Sequence, residues 1–191
     1  MSELRAYLMG RKTFDPALDT ATLVEEFVEG FYGLAAAPSV LSYMRIMRAA
    51  VTTHGGRDFT PGSVMYTNET VMNAAAAMTA AAKAVGGSEK AGYSQFHARV
   101  LRSSISIFYL VLLRWDDYVR FCQTEGRPWP LASTSKRAFF TEQFAVACNH
   151  TVSSTIAVPI CAGWADPGPS GHHCWDLHGN ITQFERYLFP S

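Results

Sequence analysis

Apolar residues recur every three or four positions along most of the chain, the spacing of helices that bury one face. In the clearest case, between an Asp-Pro turn and Gly33, the apolar stripe consists of Leu23, Val24, Phe27, Val28 and Phe31. Asp19 or Thr22 can cap this helix, and Thr22 with Glu25 fits a capping box. Gly33 then predicts its end.

The pattern predicts a mainly α protein, a helical bundle-like domain. The predicted helices cover residues 2–14, the capped segment ending at Gly33, and residues 38–54, 68–85, 88 to about 123, and 135–149. Pro38 suits a first helical turn, and the run "NAAAAMTAAAKAV" is a strong helix former that allows close packing. The helix from residue 88 is the longest.

The character of the chain changes after residue 150. The stretch "TVSSTIAVPI" predicts a short strand, and "CAGWADPGPSGHHCWDLHGN" predicts a long irregular loop rich in Cys, His and Trp. A final short helix or turn contains Phe184, Tyr187 and Leu188. Because the sequence shows no internal repeat and no clear second domain, residues 1–191 are interpreted as one helical domain.

Composition excludes several classes of function. The 191 residues are 48% hydrophobic and contain 16 basic and 16 acidic residues. The basic residues form no cluster of the kind that binds nucleic acid, and no polybasic run indicates binding to a membrane surface. The longest apolar run, residues 105–113, is shorter than the roughly 20 residues of a membrane span. The N-terminus "MSELRAYLMGRK" lacks the apolar stretch of a signal peptide.

Residues 7–47 resemble a known segment. The features they share with it are Asp15-Pro16, Leu18-Asp19, Leu23, Phe27, Tyr32-Gly33 and an Ala-rich link before Pro38. The segment is similar to part of an uncharacterised family, a domain of unknown function related to barrel enzymes of the α-glucuronidase and β-hexosaminidase type. The later "LVLLRWDDYVRF" also looks like that family's long helix. Phe14 stands where the family often has Trp, and Leu34 where it often has Pro.

The resemblance implies a place and a partner for this chain. In glycoside-hydrolase-like proteins such a segment follows the last part of a (β/α)8 barrel and leads into a C-terminal helical region. The chain is therefore expected to be the C-terminal part of a larger carbohydrate-active protein, with a barrel domain of the same protein as its partner.

The sequence does not supply the two carboxylates that glycosidases normally use. Glu25, Glu26 and Glu29 are predicted to lie on a solvent-facing side of their helix. Asp116 and Asp117 are adjacent and point about 100° apart, so ion pairing with Arg114 or Arg120 competes with a role in a substrate cleft. No catalytic residue is predicted, and the parent protein's activity stays open.

Aromatic residues near the C-terminus are the candidates for sugar binding. Trp164, His172 and Trp175 lie in the Gly/Pro-rich loop, and Trp129 is a further candidate. Aromatic faces stack on sugar rings, and loops commonly hold binding sites. The alternative is that these tryptophans close the edge of the core, because large aromatic residues contribute mainly buried area.

The same loop offers potential metal ligands, which are Cys161, His172, His173, Cys174 and His178. Zinc takes about four nitrogen or sulfur ligands, but the spacing matches no established zinc motif. We therefore predict neither a metal nor a cofactor. A nucleophilic role for Cys174 or Ser170 beside His172 is not supported, because the sequence contains no nucleophile elbow.

Cysteines and glycosylation sequons favour a secreted protein, although the chain shows no leader. The disulfide candidates are Cys122, Cys148, Cys161 and Cys174, which allow three connectivities. The glycosylation candidates are Asn68, Asn149 and Asn180, each followed by the required Thr. Buried free thiols in a cytosolic protein are the alternative.

Three functional hypotheses follow. The chain is the non-catalytic helical domain of a glycoside-hydrolase-like protein, a free-standing helical interaction or carbohydrate-binding module, or a small metal-dependent enzyme. An exposed apolar patch around Leu4, Leu8 and Phe14 would favour the first hypothesis, and a closed polar surface there would favour the second. Metal analysis would test the third.

Overall fold

A computed structural model describes residues 2–55, 61–86, 91–131, 133–144 and 189. Within these ranges the chain is helical and contains no strand, as the apolar spacing predicted. The helices are α1 (Ser2–Phe14), α2 (Thr20–Tyr32), α3 (Ala37–His54), α4 (Asn68–Gly86), α5 (Ala91–Leu113), α6 (Trp115–Thr124) and α7 (Lys136–Phe139), followed by a π-helical turn (Phe140–Phe144). The predicted strand and final helix of the C-terminal segment lie outside the described residues.

Asp19, and not Thr22, caps α2. One carboxylate oxygen of Asp19 accepts hydrogen bonds from the Thr22 backbone N–H at 2.8 Å and from the Thr22 hydroxyl at 2.9 Å. These bonds lower the pKa of Asp19. Thr22 is therefore inside the first turn, and the predicted capping box with Glu25 is wrong. At the other end the Gly33 N–H donates to the Glu29 carbonyl at 3.0 Å, and Gly33 has φ +86°.

The core centres on α4, which packs against α3 on one side and α5 on the other in the two most extensive helix contacts of the described residues. The fully buried residues of α4 include Ala74, Ala75, Met78 and Ala81. Because alanine has only a methyl group, α4 can approach both neighbours closely. On α5 the side chains of Val100, Phe108, Val111 and Leu112 are at most 1% exposed.

Polar contacts fasten α1 and α2 to this core. The Tyr32 hydroxyl lies 2.8 Å from Ser103 Oγ, and the Arg99 guanidinium donates to the Phe31 carbonyl at 2.9 Å while lying over the Phe31 ring. Glu3 of α1 pairs with Arg102 of α5 at 3.5 Å. The N-terminal helices are therefore packed as part of the domain.

The helix predicted from residue 88 to about 123 is interrupted at Arg114, so this prediction is wrong in one respect. Arg114 has φ −116° and ψ 30°, outside the α-helical range, between α5 and α6. Its guanidinium donates to the Tyr66 carbonyl at 3.1 Å and to Asn68 Oδ1 at 3.0 Å. These bonds fix the bend against the start of α4, and hydrophobic spacing does not report them.

The helix predicted over 135–149 begins as expected but changes type. Ser135 Oγ accepts from the Ala138 N–H at 3.1 Å and caps α7, which gives way to the π-helical turn after Phe139. Phe139 packs edge-on against Phe108 at 5.1 Å between ring centroids. Residues 145–149 lie outside the described residues.

One described helix segment, Gln95–Leu113, is long and apolar enough to cross a membrane by length and composition, but 56% of it is buried inside the structure. Burial of this kind is typical of the core helix of a folded domain. The apolar run at residues 105–113 belongs to this segment, and most of its residues are buried.

Tyr118 presents an unusual buried hydroxyl. The side chain is 0% exposed, and its hydroxyl has no hydrogen-bond partner among the described residues. Burial, the largest cause, raises the pKa of Tyr118 from 10.0 to about 12. The folded state therefore retains this proton at a higher pH than the unfolded chain does. The Tyr118 contribution to stability should be constant below about pH 10 and should be lost as the pH rises towards about 12.

We expect Tyr118→Phe to increase the free energy of unfolding by up to about 1–3 kcal/mol, since it removes an unsatisfied buried group. It should also reduce the loss of stability at alkaline pH. The part of that loss caused by Tyr43, whose pKa is likewise raised to about 12, should remain. Urea unfolding followed by circular dichroism at neutral and alkaline pH measures both effects. In the matched control Tyr32→Phe, a bonded hydroxyl is lost, so stability should decrease by about 1 kcal/mol. Destabilisation of Tyr118→Phe would contradict the assignment.

Candidate functional site

A polar cleft lies where α6 passes the start of α4. Its volume is about 480 Å³ and it is open to solvent. The lining residues are Asn68, Arg114, Asp117, Arg120, Phe121, Thr124 and Glu125. They include two arginines and two carboxylates, so the cleft has balanced formal charge. The size falls within the about 300–1,000 Å³ typical of small-molecule sites.

Arg114 is the fixed element of the cleft. Its two terminal nitrogens donate to the Tyr66 carbonyl and to Asn68 Oδ1, and its guanidinium lies 5.2 Å from the Tyr118 ring centroid. Because the Asn68 carbonyl oxygen is engaged, its Nδ2 amide is left as a donor with no partner among the described residues. The arrangement places a guanidinium and an amide side by side.

Asp117 lies between the two arginines. Its oxygens are 3.6 Å from Arg114 Nε and 3.5 Å from Arg120. The predicted ion pairing is confirmed, but both distances exceed the roughly 2.7–2.9 Å of a strong charge-assisted hydrogen bond. Asp116 is exposed and does not line the cleft. Of the two adjacent aspartates, Asp117 is therefore the one positioned to meet a ligand.

The remaining acidic candidates lie on a solvent-facing side of α2, as predicted. Glu25, Glu26 and Glu29 are all exposed. Glu26 accepts a hydrogen bond from Arg11 at 3.0 Å, and this contact is the largest cause lowering the pKa of Glu26. A carboxyl with a lowered pKa is ionised at neutral pH, so Glu26 is unsuited to donate a proton as a general acid.

The apolar patch expected around Leu4, Leu8 and Phe14 is only partly present. Leu4 is 8% exposed and belongs to the interior, and Leu8 is half-buried. Phe14 is 91% exposed at the end of α1, and Met9 is 62% exposed. Since helical residues advance by about 100° each, Met9 and Phe14 project about 140° apart and do not form one continuous face.

A small apolar groove lies near the end of α2. It has a volume of about 290 Å³ and is lined by Glu29, Gly30, Gly33, Leu34, Ala35, Val85 and Phe96. Leu34 is 75% exposed at its rim. The first 45 residues therefore contain three of the four exposed large hydrophobic side chains found among the described residues; the fourth is Val64.

Most of the sequence-predicted candidates in the C-terminal segment lie outside the described residues. These are Trp164, His172 and Trp175 for sugar binding, Cys148, Cys161 and Cys174 for disulfides, and Asn149 and Asn180 for glycosylation. His173 and His178 of the metal hypothesis lie there too. Within the described ranges, no group of three His, Cys, Asp or Glu side chains is arranged to hold a metal ion.

Three candidates fall within the described residues. Cys122 is buried with a free thiol whose pKa is raised by burial, and its three candidate partners lie outside the described ranges, so its pairing stays a prediction. Asn68 is the first residue of α4, and its glycosylation also stays a prediction. Trp129 packs edge-on against Trp115 at 4.8 Å and donates to the Ser133 carbonyl at 2.8 Å, which is a core-edge role.

The sequence interpretation missed the cleft as a unit. It considered Arg114, Asp117 and Arg120 as ion-pair partners and Asn68 as a glycosylation sequon, but did not join them. Asn68 and Arg114 are 46 positions apart. The signal available in the sequence was the cluster of both charges in "RWDDYVR", immediately after the longest apolar run.

Comparison with known proteins yields one partial match. Residues 1–45 match a family described as a domain of unknown function (DUF4838). The match covers α1, α2 and the first half of α3, under a quarter of the 191 residues. No curated protein and no solved structure matches the chain.

Proposed function

We propose that this chain is the helical C-terminal domain of a glycoside-hydrolase-like protein, in which its first 45 residues dock against a barrel domain of the same protein. The support is the family match over residues 1–45, together with the resemblance of residues 7–47 to segments that follow such barrels. In this role the helical domain completes and stabilises the barrel. It is not catalytic by itself.

The distribution of exposed apolar side chains supports docking through this segment more than any other observation. Met9, Phe14 and Leu34 all lie within the matched residues, and each is more than 60% exposed. These three side chains share one segment of the sequence, and because they do not form one continuous face they are expected to make separate contacts with a partner. Phe14, at 91% exposure, is the most exposed of the three and is the expected anchor.

Side-chain contacts hold α1 against α2 and against the core helix α5. Arg11 joins α1 to Glu26 of α2 at 3.0 Å, and the Tyr7 and Phe27 rings pack at 5.4 Å. The pair Arg102–Glu3 ties α1 to the core helix α5. Since α1 is held on its inner side, its outward side chains can meet a partner without rearranging the domain.

A free-standing module is the second candidate, and burial of Leu4 favours it. Leu4 is one of the three side chains expected in a docking patch, yet it packs inside this domain. A surface with less bare apolar area is better suited to a protein that functions without a barrel. The polar cleft between α4 and α6 would then be its place to bind a ligand.

The isolated chain tests the docking proposal. We expect it to bind a hydrophobic dye and to self-associate in light scattering, because the side chains proposed to contact the barrel are exposed to solvent in the isolated chain. The triple variant Met9→Gln, Phe14→Gln, Leu34→Gln should lose most of the dye signal. Val64→Gln, which changes an exposed apolar residue outside the matched segment, should leave most of it in place. A monodisperse monomer without dye binding would exclude the docking face.

The partner itself is tested by reading the transcript upstream of Met1. A continuous reading frame encoding alternating strands and helices, with acidic residues at strand ends, is the expected result. Co-expression of that region with the helical domain should then give a stable complex that Phe14→Asp disrupts. A stop codon followed by a start at Met1 would remove the barrel and leave the free-standing module.

A further inference from the structure

The cleft between α4 and α6 has the chemistry of a site for a neutral polyhydroxylated ligand. We propose that Asn68, Arg114, Asp117 and Arg120 bind a neutral saccharide through its hydroxyl groups. The chemistry of the cleft fits polyhydroxylated ligands in general, and the choice of a saccharide among them rests on the proposed function.

Charge balance argues against an ionic ligand. Arg114 and Arg120 are matched by Asp117 and Glu125, so neither an anion nor a cation gains a net attraction from the lining residues. A neutral ligand that offers both donors and acceptors can use all four groups. Sugar hydroxyls do this, since each donates one hydrogen bond and accepts others.

Part of the site is organised before a ligand arrives. Arg114 is held by the Tyr66 carbonyl and by Asn68 Oδ1, at 3.1 and 3.0 Å. Binding to groups that are already fixed costs less ordering entropy than binding to free side chains. Asn68 lines the cleft, and its bond to Arg114 uses the side-chain oxygen and not the amide nitrogen.

The other groups retain capacity for hydrogen bonds. Asp117 lies 3.5 and 3.6 Å from its two arginines, and Arg120 is 74% exposed. Thr124 is exposed and its hydroxyl makes no side-chain bond to a described residue. Hydroxyls of a ligand can therefore be bound without first breaking a short hydrogen bond.

Phe121 supplies the apolar component. It is half-buried and lines the cleft, and Arg127 lies over one face of its ring at 5.6 Å from the centroid, so a ligand can use only the ring surface that Arg127 leaves open. Aromatic side chains pack against the C–H face of a sugar ring. The open shape of the cleft suits an oligosaccharide lying across it, rather than a deeply enclosed small molecule.

The test is a titration of the full chain with the neutral disaccharides cellobiose and N,N′-diacetylchitobiose, followed by NMR of the Asn68 amide and arginine Nε–H signals. We expect saturable shifts of the Asn68, Arg114 and Arg120 signals with at least one of them. Glucuronate, a charged counterpart, should give smaller shifts. Absence of shifts with both disaccharides, or larger shifts with glucuronate, would overturn the proposal.

Variants separate recognition from general effects. Arg120→Gln should weaken binding several-fold, whereas Arg48→Gln, an exposed arginine on α3 that does not line the cleft, should bind like the parent chain. Asp117→Asn makes the lining net positive and should shift the preference towards glucuronate. Unchanged binding in Arg120→Gln, or no change of preference in Asp117→Asn, would contradict the assignment. Circular dichroism verifies that each variant is folded.

Failure of this proposal is distinguishable from failure of the docking proposal. The cleft residues belong to α4, α6 and the residues beside them, outside the matched segment. The dye and light-scattering experiments address residues 9, 14 and 34 instead. Sugar binding without a docking face would identify the free-standing module, and a docking face without sugar binding would identify a purely structural domain.

Discussion

Replacing Phe108 by alanine is expected to lower the free energy of unfolding by about 3–5 kcal/mol, the usual loss for a buried phenylalanine. Phe108 is 1% exposed on α5 and packs edge-on against Phe139 at 5.1 Å. The cavity would lie between the core helix and α7, so closing it requires movement of two elements. Urea unfolding followed by circular dichroism measures the change.

Phe14→Ala is the matched control because it makes the same chemical change on a side chain that is 91% exposed. Its effect on stability should be within about 0.5 kcal/mol, as for other surface substitutions. Equal effects of the two variants would mean that Phe14 packs inside the domain, contrary to both the structure and the docking proposal. An effect of Phe108→Ala below about 1 kcal/mol would contradict the placement of the core.

The first four helices could be predicted because local signals coincide there. Asp19, Gly33 and Pro38 mark ends that depend on short-range hydrogen bonds and backbone angles, and the apolar stripe of α2 identifies its inner face. The Ala-rich composition of α4 likewise predicted both its type and its close packing. Only the choice between Asp19 and Thr22 as cap needed the structure.

The break at Arg114 could not be predicted from hydrophobic spacing, because apolar residues continue across it into α6. The bend is stabilised by bonds from one guanidinium to Tyr66 and Asn68, more than 40 positions away. The same long-range contacts build the polar cleft. The features that hold the candidate site together are thus the ones that periodicity does not record, and a helix boundary and a site were missed for one physical reason.

For the proposed docking surface, the sequence identified apolar residues but not which of them are exposed. Leu4, Leu8 and Phe14 were grouped as one patch, but Leu4 is needed inside the domain, where α1 meets α2 and α5. Spacing identifies the apolar residues of a helix without telling which neighbour buries them. Exposure in the structure therefore moves the expected anchor to Phe14, with Met9 and Leu34 as separate contacts.

Gly33→Ala is expected to be among the most damaging single substitutions in the matched segment, with a loss of about 2–5 kcal/mol. Gly33 has φ +86° and ψ 148°, a conformation that is essentially restricted to glycine. A Cβ there would also lie 2.9 Å from Cδ2 of Phe96. Both the backbone and the packing therefore resist the added methyl group, and unfolding in urea measures the combined loss.

Gly30→Ala is the matched control, three residues earlier in α2. A Cβ at Gly30 meets nothing within 4 Å, so this variant should gain about 0.5–1 kcal/mol from the better helix propensity of alanine. In the double variant Gly33→Ala, Phe96→Leu, the smaller side chain relieves the contact but not the backbone strain, so only part of the loss caused by Gly33→Ala should be recovered. Full recovery would show that φ is not a constraint at Gly33.

The consequence for function follows from the two bonds that Gly33 makes possible. Its carbonyl accepts from the Ala36 and Ala37 N–H groups at 3.1 and 3.0 Å, so one residue both ends α2 and closes the turn that leads into α3. Displacing it would move Leu34, which belongs to the proposed docking segment, together with the groove beside Phe96. Gly33→Ala should therefore weaken barrel association more than its loss of stability predicts, whereas saccharide binding at the α4–α6 cleft should persist in the folded fraction.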